Sequence, residues 1–177
     1  NFPWIMVENT RPMWYEAFHS EEMLRYFRFG TNLSSSFHIQ DWLAVKILQE
    51  KNLIPADAIF VPGHSGGDLQ GQYLPSIFEN RDKMSSKELI QTILKQFYRL
   101  WEYPIDKLYN LFNDRIRNYL TIPDIVLNEI AASFYDEWAW RQWDSKFIVN
   151  SVRVYEFFNY EWRIPLWDNE FMEFWQR

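Results

Sequence analysis

The sequence contains no cysteine. Disulfides and thiolate metal sites are therefore excluded, and the composition fits a reducing compartment such as the cytoplasm. Positive charge is also short, since 18 Lys and Arg against 24 Asp and Glu leave a net charge of −6. A nucleic-acid-binding surface wants a basic face, so that class of partner drops out. No charge-free apolar run approaches the length needed to span a bilayer, which argues against a membrane segment. The only histidines, His19, His38 and His64, are too scattered for a metal triad. Glycine is scarce as well: there are five in 177 residues, yet four of them fall between positions 63 and 71.

What is abundant is apolar surface. A hydrophobic fraction of 47% and an aromatic fraction of 20% exclude a disordered chain. The length suits one domain over residues 1–177. Ten Trp residues imply that most are buried. The chain begins Asn1-Phe2-Pro3-Trp4, without an initiator Met or a signal-peptide pattern, and it stops just after the apolar stretch 171–175. It reads as a fragment of a longer polypeptide.

Most of the sequence reads as helix. Ser20 before Glu21-Glu22 is an N-cap, with Met23, Leu24 and Phe27 at helical spacing and Gly30 as the stop. Residues 41–51 carry Trp42, Val45, Ile47 and Leu48 on an amphipathic pattern. Ser85-Ser86-Lys87-Glu88 has the form of a capping box and opens a helix through Leu89, Ile93, Phe97 and Leu100, which Pro104 ends. Further helices are expected over 105–119, 124–143 and 146–158, and Asp168 can cap a last one carrying Phe171, Met172 and Trp175. Residues 163–165 must be extended. Residues 57–61, bounded by Pro55 and Pro62, form the one convincing strand, and a lone strand needs partners for its backbone groups. The expected class is mainly α, with one or two short strands.

Two constellations carry chemistry. The first is the glycine cluster, Val61-Pro62-Gly63-His64-Ser65-Gly66-Gly67-Asp68-Leu69-Gln70-Gly71-Gln72-Tyr73. Backbone N–H groups of such a turn can cradle phosphate oxygens, and a carboxylate beside them can hold Mg²⁺. A long surface turn with a solvated Asp68 accounts for the same residues. The second is Glu161-x-Arg163-x-Pro165-x-x-Asp168, two carboxylates and a guanidinium around a rigid proline turn. Arg163 offers a planar fork for carboxylate or phosphate. A buried ion pair between Arg163 and Glu161 or Asp168, with Asp168 as a helix cap, is the alternative.

Together the two constellations resemble the C-terminal synthetase domain of the asparagine synthase family. That family has a strand running into Ser-Gly-Glu-Gly-x-Asp-Glu-x-x-Gly-Gly-Tyr and, much later, Glu-x-Arg-x-Pro-Phe-Leu-Asp before an apolar helix. Here the second appears as Glu161-Trp162-Arg163-Ile164-Pro165-Leu166-Trp167-Asp168. The resemblance implies the helical C-terminal portion of an adenine-nucleotide alpha-hydrolase-like α/β domain. It implies an enzyme that uses ATP and Mg²⁺ to adenylate a small-molecule carboxylate and lets ammonia attack it.

By the same resemblance, Asp68 is a ligand of Mg²⁺–pyrophosphate, and Gly63, His64, Ser65, Gly66 and Gly67 form the phosphate-facing turn. Arg153, eight residues before Glu161, stands where the family has a Lys or Arg facing pyrophosphate, with Lys146 as a weaker candidate. Glu161, Arg163 and Asp168 frame the site. A homodimer is among the assemblies the resemblance admits. The sequence departs from the pattern at His64 and Leu69, where the family has acidic residues, and Asp68 comes one residue late. The family's upstream Ser-Gly-Gly-x-Asp-Ser nucleotide loop is absent, so its partner would be an upstream part of the same polypeptide. The alternative is a non-catalytic helical binding module derived from that family. A carbohydrate-binding domain built on the Trp excess is a third reading, and it requires several exposed Trp residues along one groove.

Overall fold

A computed structural model describes residues 3–31, 35–63, 66–69, 74–79, 81–99 and 105–175. The protein is mainly helical. In chain order the helices are α1 (Arg11–Phe18), α2 (Glu21–Gly30), α3 (Trp42–Glu50), α4 (Gly66–Leu69), α5 (Ser86–Phe97), α6 (Ile105–Leu120), α7 (Asn128–Ala139), α8 (Val149–Ser151), α9 (Arg153–Phe157) and α10 (Asn169–Trp175). The strands are β1 (Ile59–Phe60), β2 (Lys83–Ser85), β3 (Ile125–Leu127) and β4 (Glu161–Trp162). They pair as two small sheets, β1 with β4 in parallel and β2 with β3 antiparallel.

The chain groups into two compact units, one of Asn1–Leu69 with Asp144–Arg177 and one of Gln70–Trp143. In the first, the sequence signals act as expected. Ser20 accepts the Met23 amide at 3.1 Å and opens α2, whose acidic first turn suits the positive end of the helix dipole. Asp168 caps α10 by accepting the Phe171 amide at 3.2 Å. The core gathers Met23 and Tyr26 from α2, Trp42 and Val45 from α3, and Val154 from α9. Asn150 is buried and donates to the Gly30 carbonyl at 2.9 Å, tying the end of α2 to the segment before α9.

The second unit is built on the β2–β3 ladder. Met84 faces Val126 in the register, and both are buried. The ladder closes symmetrically, with the Ser86 amide on Asp124 O at 2.9 Å and the Asn128 amide on Asp82 O at 3.0 Å. A helix leaves each strand, α5 from β2 and α7 from β3, and their apolar faces meet α6 through Leu89, Ile93, Ile116 and Ala131. Arg117 on α6 donates to Ser86 Oγ at 2.6 Å and pairs with Asp124.

Several expectations are corrected. The strand over 57–61 reduces to Ile59–Phe60, and its partner lies within this chain, in residues 161–162. The helix expected over 124–143 gives up its first turn to β3, because Ile125 and Val126 are β-branched and pair with β2. The winding beyond Ala139 is a π-helix over Trp140–Ile148, with the boundary between the units inside it. Among the described residues only Trp42 and Trp138 are buried Trp side chains, while Trp4, Trp140, Trp143 and Trp175 are exposed. Indole rings are large enough to cover a core while keeping one edge in water. Leu100 and Pro104, read as the end of α5, lie outside the described residues.

Candidate functional site

The site is built on the parallel pair. Ile59 stands beside Glu161 and Phe60 beside Trp162, and the ladder continues as the Arg163 amide donates to Phe60 O at 2.9 Å. Because the strands run the same way, residues 61–63 and residues 163–164 leave from the same end. Two segments about a hundred residues apart in sequence are thereby brought together. A methyl group built on Gly66 would lie 3.5 Å from Leu166 Cδ1, so the glycine segment reaches the proline turn of the second motif. Gly63 has open space around its Cα. Gly66 and Gly67 are half-buried in α4, which also contains Asp68. His64 and Ser65 lie outside the described residues.

Three aromatic rings hold the strand ends. Phe60 lies flat on Tyr155 with centroids 4.4 Å apart and planes 12° apart, and it meets Tyr160 edge-on at 5.2 Å. Tyr155 donates its hydroxyl to Asp41 Oδ2 at 2.8 Å. Burial, and then the Asp41 charge, push the Tyr155 hydroxyl well above the usual phenol range. Asp41 precedes α3 but makes no side-chain cap bond to it, so its carboxylate serves Tyr155 instead. The sequence gives no sign of this arrangement beyond the polar residue ahead of the helix.

Glu161 and Arg163 pair with each other at 3.0 Å, but their side chains are 69% and 63% exposed. The pair is therefore not the buried one that the sequence admits, and an exposed pair contributes about 0–1 kcal/mol. Arg163 also donates to the Trp162 carbonyl at 2.8 Å, folding back over its own strand. Asp168 acts as the α10 cap. Beside β4 is an open hollow of about 450 Å³, lined by Glu156, Tyr160, Glu161, Trp162, Arg163 and Ile164. The Trp162 indole N–H donates to Glu156 Oε1 at 3.1 Å, which fixes one wall. Glu156, Tyr160 and Trp162 carry no motif of their own, and only nearness to Glu161 could have singled them out.

Arg153 begins α9, two residues before Tyr155. Its guanidinium sits over the Phe29 ring at 4.4 Å, and its Nε is buried without a hydrogen-bond partner. It does not line the hollow. Lys146 belongs to the π-helical segment, where its carbonyl accepts the Ser35 hydroxyl at 2.9 Å. Among the described residues no group of three or more His, Cys, Asp or Glu could hold a metal ion.

No family model, no curated protein and no solved structure matches the chain. Among the described residues no helix is long and apolar enough to cross a membrane.

Proposed function

We propose that this chain is part of an ATP-dependent amide-forming ligase of the asparagine-synthase kind, which adenylates a small-molecule carboxylate and transfers ammonia to it. The observation that carries this reading is the parallel pairing of Ile59–Phe60 with Glu161–Trp162. It brings the glycine segment and the Glu-x-Arg-x-Pro turn to the carboxyl ends of adjacent strands, where α/β proteins bind their ligands. By the family resemblance, Gly63, His64, Ser65, Gly66 and Gly67 would form the phosphate-facing segment, and Asp68 would supply a carboxylate for Mg²⁺. That ion offsets the negative charge of pyrophosphate. Mg²⁺ is commonly held by one or two carboxylates plus phosphate oxygens and water. Arg153 adds positive charge, and Glu161, Arg163 and Asp168 frame the turn. ATP binding is assigned to sequence outside these 177 residues, and a cytoplasmic setting goes with the absence of cysteine.

The test is a calorimetric titration of the full-length polypeptide with Mg²⁺–pyrophosphate and with Mg²⁺–ATP. Saturable binding is expected, weakened roughly tenfold or more in Asp68→Asn, as for loss of a charged partner. Absence of binding, or an unchanged affinity in Asp68→Asn, overturns the ligase reading. The self-contained pairing of Arg163 with Glu161 and with its own strand favours the second reading, a non-catalytic helical module of the same descent. Failure to bind either phosphate compound would select it.

A further inference from the structure

We propose that Asp41 and Tyr155 are positioning residues, which fix residues 61–63 at the end of β1 against the Arg163 turn by holding Phe60. The function of this arrangement rests on the ligase reading, whereas its geometry does not. Phe60 is the last residue of β1, directly before residues 61–63, and its carbonyl accepts the Arg163 amide at 2.9 Å. A displacement of Phe60 relative to β4 therefore strains that bond and shifts one half of the candidate site against the other. Its ring is held from one side by Tyr155, stacked at 4.4 Å, and edge-on by Tyr160. Stacking alone resists separation of the rings but permits sliding in their common plane. The 2.8 Å bond from the Tyr155 hydroxyl to Asp41 Oδ2 removes that freedom, because it anchors the far end of the ring to the start of α3.

The elements that meet there make the anchor firm. Trp42, next to Asp41, is fully buried, and α9 packs against both α2 and α3. Gln49 at the other end of α3 donates to Phe158 O at 2.9 Å, so α3 and the end of α9 are tied at two points. Asp41 makes no cap bond to α3, and its removal takes no side-chain hydrogen bond from that helix. Its effect should therefore appear at the strand ends rather than in α3.

The experiment compares amide hydrogen exchange in the 177-residue chain and in Tyr155→Phe, Asp41→Ala and Asp41→Asn. Tyr155→Phe keeps the stacked ring and loses only the hydroxyl, and the Asn carbonyl can still accept that hydroxyl. Exchange at the Arg163 amide is expected to rise about tenfold, as for loss of one hydrogen bond, in Tyr155→Phe and Asp41→Ala. Amides within α2 should stay unchanged, and Asp41→Asn should behave as the parent. An equal rise across α2, or an Asp41→Asn variant as disturbed as Asp41→Ala, would overturn the proposal. Mg²⁺–pyrophosphate titration of the same variants in the full-length polypeptide separates it from the ligase reading. If the parent fails to bind, the ligase reading falls and the exchange data still decide the positioning role. If the parent binds and Tyr155→Phe binds equally well, positioning of the site is refuted.

Discussion

Tyr135 shows how a single buried side chain can make the second unit sensitive to alkaline pH. It is 1% exposed in the core of the second unit, where Phe78 and Phe97 each pack 5.5 Å from its ring. Burial, and then the charge of Asp136, push its hydroxyl up to about 12 from an ordinary value of 10.0. Below pH 10 the folded and unfolded states both keep the proton, so this group leaves stability independent of pH. Above it the unfolded chain loses the proton first, and stability falls as pH rises towards the folded value. The stability of the second unit should therefore fall progressively between pH 10 and 12 when denaturant unfolding is followed by circular dichroism. Tyr135→Phe removes the ionisable group and should flatten that slope. An identical slope in the variant would show that Tyr135 is not the group responsible. At this scale the sequence is informative where a residue acts on its near neighbours. Ser20, Ser85 and Asp168 cap the helices that their positions announce. It is silent where a residue acts across the fold, as Asp41 does on Tyr155.

Among the elements, α5 is the one whose start is most fully specified by sequence. Ser85 accepts the Glu88 amide, and Glu88 accepts the Ser85 amide and hydroxyl at 2.9 Å each. Ser85→Ala should cost about 1 kcal/mol in denaturant unfolding, the usual cost of losing such a cap. The bonds from the Ser85 backbone and side chain, and then that from Arg81, hold the Glu88 carboxyl below its ordinary value of 4.5. A lowered folded value contributes stability above the unfolded one and loses it as pH falls through the folded one. Glu88→Gln should thus destabilise the protein at neutral pH, with the difference from the parent shrinking under acid. A difference that stays constant between pH 7 and strongly acidic solution would rule out the carboxylate as its source. Helices α2, α3, α5 and α6 were legible because their apolar period repeats over two turns or more. By contrast, α1 and the four-residue α4 were not read, and the expected helix over 146–158 is broken into a π-helical end, α8 and α9. Of the strands only β1 was legible, as part of the stretch 57–61 bounded by Pro55 and Pro62. With two or three residues each, β2 to β4 are too short for alternation to register, and the partner of β1 lies about a hundred residues away in sequence. Residues 125–127 fit the helical pattern that follows them until pairing with β2 decides the outcome.

For the whole molecule, the mainly helical class was legible, while the division into two cores was not. One boundary, after Leu69, falls inside the glycine cluster, which reads as a ligand-facing turn rather than a linker, and the other lies inside the π-helical winding. The two cores share none of their buried residues. The second unit is one continuous stretch, whereas the first needs pairings such as Ile59 with Glu161 that close over the whole inserted segment. Such long-range closure is slow and is made only after the chain entropy of the loop has been overcome. Opening should follow the same division. Ile93 and Met23 are both fully buried, one in each core. Truncation of either to Ala should cost about 2–5 kcal/mol. Native-state hydrogen exchange is expected to report the loss from Ile93→Ala in α5, α6 and α7, with α2 and α3 retaining most of their protection. Met23→Ala should do the reverse, and the amides of α5 should exchange as in the parent. The alternative is a single cooperative structure, in which either truncation lowers protection equally in both sets of helices. That outcome would show that the two cores, although separate in composition, open as one.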